Sequence, residues 1–480
     1  MAEKATSPSG VLDQEYDAPR EPSLFDQKRR DRLDPNRPAC FPSRSSELGF
    51  VFAIVGSIMV SEYFVSGFPI VLSALPDPSN EARTWPAAVV NLTTAVLILP
   101  FARLSEIQGG RLIFLGGHAW LIVWSIIPCF SQNPTMLIAC RAMQSLGPSA
   151  FLPSSVVIMS RIYRPGPRNT LIFSILGASS CVGFYSGIFF GALSAQVLGW
   201  KWHFFIGAFF CAGLFIAGFL TIPKSNGDPR PDLEMDWLGT ATVAPGPALV
   251  VYALTCGGNA PRSSLALILG SIFLALFVYV ELLVSHILST RYPANILLSI
   301  ESVLYNGPLM TTTWFVPLAA GGFMLALVGG FALHILNGRR LLLIFCLGFL
   351  GSLILFSVIP DSRISNSFLY SAFIFPAMVL AMVGVDITFN IHNFIITTSL
   401  PDHLQAVAGA LITSLLYLGM AFWLGVVETA TSAQKEKRAE SLDGTSQCQM
   451  GFWTGTGLAL IFITVQIQSA EADLTADEKA

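Results

Sequence analysis

Apolar runs of about twenty residues recur along this chain, separated by short polar gaps. A hydrocarbon core about 30 Å thick needs about 20 helical residues to cross it, so each run predicts a membrane span. They fall at 48–75, 85–104, 112–130, 136–162, 171–198, 203–222, 237–256 and 265–288, then at 313–336, 341–359, 367–390, 406–427 and 452–467. Backbone polar groups in lipid must be satisfied within each segment, which makes these spans helices rather than strands. The pattern predicts an all-α membrane protein of about thirteen spans.

Composition agrees with lipid as the solvent. Hydrophobic residues are 53% of the 480 and charged residues 12%, whereas a soluble domain is roughly a quarter charged. A net charge of -3 leaves no basic excess for nucleic acid, which is set aside as a partner. The eight cysteines form no CxxC pair and sit mostly in apolar runs, with Cys129, Cys256 and Cys448 expected near the outer surface. The six histidines have no ligand spacing and no P-loop occurs, so neither a metal, a cofactor nor ATP-driven pumping is expected. Asn91-Leu92-Thr93 is formally a glycosylation sequon, but inside a span it is expected to stay unmodified.

Lys and Arg in short loops set orientation. Arg103 with Arg111, Arg161 with Arg164 and Arg168, and Lys224 with Arg230 follow the second, fourth and sixth spans. The N-terminus is therefore expected in the cytoplasm. Residues 1–47, rich in charge, Pro and Ser, bury too little apolar surface to fold and are expected to be a disordered arm.

In the second half the rule meets a difficulty. Arg291 and the Arg339, Arg340 pair both ask to be cytoplasmic, yet one strong span separates them. The stretch from Tyr292 to Thr312 has only a ten-residue apolar core, Ile296 to Tyr305, broken by Glu301. That is too short to cross unaided, so one expected helix is missing or degenerate.

Several motifs carry chemistry. Between the second and third spans lies Ala102-Arg103-Leu104-Ser105-Glu106-Ile107-Gln108-Gly109-Gly110-Arg111. An acid beside a helix terminus, with arginines nearby, makes a latch that two conformations can hold or release; its candidates are Arg103, Glu106, Gly109 and Arg111. The fourth span carries Arg141-Ala142-Met143-Gln144-Ser145-Leu146-Gly147 with Pro153 beyond. An Arg within a span either snorkels to the interface or serves as a fixed interior charge. The fifth span has Gly183, Gly187 and Gly191 four residues apart on one face, where small residues let helices approach closely. The intramembrane carboxylates are Glu62, Glu281 and Asp386. A carboxyl buried in low dielectric holds its proton more readily and can cycle it. Asp386, with Asn390 one turn on, is the first proton-coupling candidate and Glu62 the next, with Arg141 as the charge beside them.

The loop motif resembles the signature of the major facilitator superfamily, with Ala102, Glu106 and Gly110 departing from its Gly, Asp and basic residue. Arg141, Gln144 and Gly147 are similar to the Arg-x-x-Gln-Gly-x-Gly motif of the family's exporters, Ser145 replacing its first Gly. The fifth-span glycines resemble the antiporter signature, with Ile188 and Ala192 where Pro and Gly are expected. Trp200-Lys201-Trp202 and Met235-Asp236-Trp237-Leu238-Gly239 complete the likeness, Asp236 and Gly239 marking entry to an extra central helix pair. The whole resembles a fungal branch of fourteen-helix drug:proton antiporters.

That resemblance implies a major facilitator fold: a six-helix half at 48–222, an extra pair at 223–291, a second half at 292–467 lacking a helix, and a polar tail at 468–480. It implies a secondary transporter that exports a secondary metabolite, toxin or drug in exchange for protons. The carrier is expected to be a monomer in the plasma membrane, or in a vacuolar or vesicle membrane. Its partners would be a small-molecule substrate, protons and the lipid bilayer. The competing readings are a non-transporting homologue that keeps only the shell and an uptake carrier. An enzyme would need His, Asp or Ser clustered at helix ends, and the sequence has no such cluster.

Overall fold

The computed structural model describes residues 40–72, 74–75, 85–163, 167–224, 308–335, 338–359, 366–383, 409–422 and 452–457, with isolated positions between them. Every regular element among these residues is helical.

The first apolar run becomes α1 (Arg44–Ser66), continued past Gly67 by α2 (Phe68–Leu72). Ser43 caps α1 by accepting from the Ser46 amide at 3.1 Å, and Glu47 in the first turn suits the positive end of the helix dipole. Next come α3 (Trp85–Gln108) and α4 (Gly110–Ile126), the latter extended by a 3₁₀ turn at Ile127–Phe130. One residue, Gly109, joins them with φ 95, a left-handed conformation that glycine adopts without strain.

The fourth span is two helices in succession, α5 (Pro134–Gln144) and α6 (Leu146–Ile162), joined at Ser145. Asn133 caps α5 through the Met136 amide, with Pro134 at the first helical position. The fifth is α7 (Pro167–Leu193), ending in a π turn at Ser194–Leu198, and the sixth is α8 (Lys201–Thr221). Arg44–Leu72, Trp85–Gln108, Gly110–Phe130, Leu171–Leu198 and Lys201–Thr221 are each long and apolar enough to cross a membrane.

These spans form one bundle: α1 packs on α7 and α8, α4 on α6 and α8, and α3 on α6 and α5. Its core is aromatic, with Phe50, Phe64, Phe114, Phe151 and Phe204 fully buried. Phe209 and Leu220 on α8 are 83% and 74% exposed, as lipid-facing side chains are. Just ahead of α1, Phe41 packs against Phe50 and Tyr163, and the Tyr163 hydroxyl donates to Glu47 Oε1 at 3.0 Å.

From the second half the structure describes α9 (Pro308–Trp314), α10 (Val316–Ile335) and α11 (Gly338–Ser357). Then α12 begins at Asn366–Leu369, passes a π turn at Tyr370–Ile374 and reaches Val383, and α13 covers Gly409–Phe422. Several contacts join this half to the first. Helix α10 lies along α7. Helix α13 lies against α3, where Leu92 meets Ala421 and Ser414 Oγ donates to the Ala95 carbonyl at 2.5 Å.

At the end away from Arg44, Ile70, Ile188 and Ala192 of the first half share one apolar cluster with Trp314, Phe315, Phe356 and Phe452 of the second. Asp236, Gly239, Glu281, Arg291, the 296–305 segment and Asp386 lie outside the described residues.

Candidate functional site

Arg141 lies in the last turn of α5, and it does not snorkel: the side chain is fully buried. Its Nε donates to the Pro86 carbonyl at 3.2 Å, Nη1 to Gln144 Oε1 at 2.7 Å and Nη2 to the Phe64 carbonyl at 3.0 Å. The guanidinium stands 4.1 Å from the Phe68 ring centroid, a cation–π contact. A charge out of water needs such compensation. Here main-chain carbonyls, an amide and an aromatic face supply it, and the only ion pair among the described residues is elsewhere. Gln144 passes the network on, its Nε2 donating to Ser125 Oγ at 2.9 Å. A Cβ on Gly147 would meet the Gly117 carbonyl at 2.9 Å, so this position sets the crossing of α6 over α4.

Glu62 is buried on α1, where the first half meets the second. The hydroxyl of Tyr417, from α13, donates to its Oε1 over 3.5 Å and lies 2.9 Å from Ser61 Oγ. One turn or so earlier, Ser57 Oγ lies 3.2 Å from His118 Nε2, whose Nδ1 is 2.8 Å from the Phe114 carbonyl. Next along α1, Tyr63 stacks on His203 at 4.7 Å between centroids, and neither His203 ring nitrogen has a hydrogen-bond partner among the described residues.

The glycine face of α7 looks at α1. A Cβ on Gly183 would stand 2.5 Å from Met59 Cα, one on Gly187 2.5 Å from the Tyr63 carbonyl, and one on Gly191 2.6 Å from the Gly67 carbonyl. All three distances are below any real contact and are to backbone, so the helices touch main chain to main chain.

At the Arg44 end, Arg103 Nη1 pairs with Glu106 Oε2 at 3.1 Å within α3. Arg161 of α6 donates to the Glu106 carbonyl at 3.4 Å, and Arg111 donates to the Phe219 carbonyl at 2.9 Å, 5.7 Å over its ring. These contacts tie α3, α4, α6 and α8 around the Gly109 turn. Gly110, where the loop pattern favours a basic residue, has no room for one: its Cβ would lie 2.6 Å from Ile158 Cγ1.

Three comparisons now bear on this geometry. The family model described as Major Facilitator Superfamily matches residues 50–424. The chain belongs to the major facilitator superfamily.

This facilitator is 27% identical over 420 residues to the low affinity ammonium transporter of Saccharomyces cerevisiae, covering 80% of this chain and 79% of that one. It is 26% identical over 442 residues to the efflux pump terJ of Aspergillus terreus, covering 83% of each. Relatives of that kind place it with the fungal drug-efflux-type members of the superfamily. The fold of the human organic anion transporter MFSD10 superposes with a TM-score of 0.56 at 13% identity, over 88% of this chain and all of that one.

Sequence reading of the facilitator picked out Glu62, Arg141, Gln144 and the three glycines, and the structure gathers Glu62, Arg141 and Gly187 around the stretch from Glu62 on α1 to Phe68 on α2. It missed Tyr417, Ser61 and Ser125, ordinary residues in apolar runs whose partners lie far off along the chain. It also missed the interior places of His118 and His203, because spacing along the sequence tests for metal ligands and not for lone buried rings. Cys129, expected near the outer surface, is buried at the end of its span, its Sγ 3.5 Å from the Lys201 carbonyl.

Proposed function

We propose that this membrane transporter is a proton-coupled exporter of a small lipophilic organic molecule, working from the cytoplasm outward, with Glu62 as a proton carrier. The observation that carries the reading is the place of Glu62: a buried carboxyl at the meeting of the two halves, bonded to a phenol rather than to a cation. A carboxyl so placed is costly in its charged form and reachable from water when the halves part, which is what proton exchange across a barrier requires. Arg141 supplies a fixed positive charge in the same half, and the α1–α7 glycine contact makes the first half a rigid body against which the second can rock. Asp386, the first proton candidate by sequence, keeps its claim on its place in the sequence alone. The terJ likeness supports export.

The ammonium transporter likeness favours a second reading, a carrier for a small cation. Cells with and without the protein, loaded with a fluorescent lipophilic cation or with labelled methylammonium at two external pH values, separate the two. Export of the lipophilic probe that strengthens in acid medium and fails in Glu62→Gln supports the first. Methylammonium movement alone replaces it with the second. Export that keeps its proton dependence in Glu62→Gln and loses it in Asp386→Asn moves the carrier role to Asp386.

A further inference from the structure

Ser61 and Glu62 are neighbours on α1, and both are met by one side chain from the opposite half, Tyr417 of α13. A hydroxyl has one proton to give and lone pairs to receive. When Glu62 is ionised, Ser61 can donate to the phenol and the phenol to the carboxylate. When Glu62 carries a proton, the chain reverses: the carboxyl donates to the phenol and the phenol to Ser61. Each protonation state is satisfied, provided that α13 is against α1.

Other groups do not take this part. From α5, Arg141 reaches the Phe64 carbonyl and not the carboxyl. From α8, His203 stacks on Tyr63, and from α4, His118 engages Ser57. Arg103 and Glu106 of α3 and Arg161 of α6 are tied together at the Arg44 end. Helix α7 has no Asp, Glu, Lys, Arg or His between 171 and 198. The described residues of α10 to α12 are not in contact with Glu62 through any hydrogen bond.

We propose that Tyr417, with Ser61, is the positioning residue that ties the protonation of Glu62 to the docking of the second half on the first. The proposal rests on the reading of Glu62 as a proton carrier. Separation of α13 from α1 removes the partner of both states, and water then takes its place, so proton exchange is confined to the arrangement in which the halves are apart here. The Ser414 bond to the Ala95 carbonyl holds α13 at this register, about one turn away from Tyr417.

The test is pH-difference infrared spectroscopy of the purified full chain in lipid vesicles, reading the carbonyl stretch of a protonated carboxyl. Wild type should show a band that titrates, and Glu62→Gln should lose it. Tyr417→Phe should keep the band, shifted to higher frequency for want of the phenol bond and with its pH midpoint displaced. Ser61→Ala, which keeps the phenol and cuts only the far end of the chain, should move the same band less. A Glu62 band unmoved in Tyr417→Phe, or unmoved in Ser61→Ala should the first variant not fold, overturns the coupling role and leaves the carrier reading standing. Absence of any Glu62-dependent band in wild type overturns the carrier reading, and this inference with it.

Discussion

Arg141 on α5 donates to the Phe64 carbonyl on α1 at 3.0 Å, so a full charge inside this membrane protein is held by the main chain of a neighbouring helix. Removing it takes a donor from an amide oxygen and two main-chain carbonyls in the interior. Arg141→Ala should therefore cost about 2–5 kcal/mol, seen as a lower melting midpoint in detergent. Arg141→Lys should recover only part of it, since an ammonium cannot make the three divergent bonds. An unchanged midpoint in Arg141→Ala would show that water reaches these groups.

The α7 glycines divide from glycines elsewhere by what lies in front of them. Gly187→Ala should force α1 and α7 apart and cost roughly 1–3 kcal/mol, as overpacking does, and Gly187→Leu should lock or misfold the first half. Gly116 and Gly213 have nothing within 4 Å of an added Cβ. Gly116→Ala should leave the protein intact or raise its stability by about 0.5–1 kcal/mol. Equal melting midpoints for Gly187→Ala and Gly116→Ala would mean that the helix contact is looser than drawn.

Hydropathy made the spans legible because lipid imposes it residue by residue. It placed the first span at 48–75 where α1 and α2 run Arg44–Leu72, and the sixth at 203–222 where α8 is Lys201–Thr221. The ends differ because backbone hydrogen bonding carries a helix past the last lipid-facing residue into capping residues such as Ser43. The split of the fourth span at Ser145 has a signal in the sequence, the Gly147-Pro148 pair just beyond it, that hydropathy does not register. Site geometry was less legible. Small-residue spacing announced the α1–α7 contact, whereas Tyr417 meeting Glu62 depends on the packing of helices more than three hundred residues apart, which no local pattern records.

Gly110 offers a test of the turn between α3 and α4. The family pattern would put a basic residue there, but Ile158 and the Ser154 carbonyl fill the space. Gly110→Lys should lower the melting midpoint and slow transport, while Glu106→Gln, which keeps the side chain's shape and loses the charge of a pair exposed only at its Arg103 end, should cost about 1 kcal/mol. A well-tolerated Gly110→Lys would show that α4 and α6 can move apart at this end.

The order of helices in the second half gives a further prediction. Helix α7, the fifth span, meets α10, and α3, the second span, meets α13. If the halves are parallel repeats about an axis normal to the membrane, α10 is the second span of its half and α13 the fifth. The first must then precede Pro308. Residues 292–307 reach about 24 Å as a helix at about 1.5 Å per residue, short of the roughly 30 Å core. Cysteines at 291 and 339, in a chain otherwise freed of cysteine, should label from the same side. Labelling from opposite sides would mean that α10 alone crosses between them, and sequencing the transcript across this region would show whether a segment has been lost.

The two ends of the molecule are fastened by different physics. Around Gly109 the fastenings are charged: Arg103 with Glu106, Arg111 and Arg161 on carbonyls. At the far end Ile70, Ile188, Trp314 and Phe315 meet without an ion pair among the described residues. Ionic strength acts on the first kind, where a Debye length of about 8 Å at 0.15 M already screens exposed charge, while strongly hydrated salts such as sulfate tighten the second. Salt composition therefore acts unequally on the two ends, on the packing of the first half at one and on the join between the halves at the other, a handle that needs neither a mutation nor a known substrate.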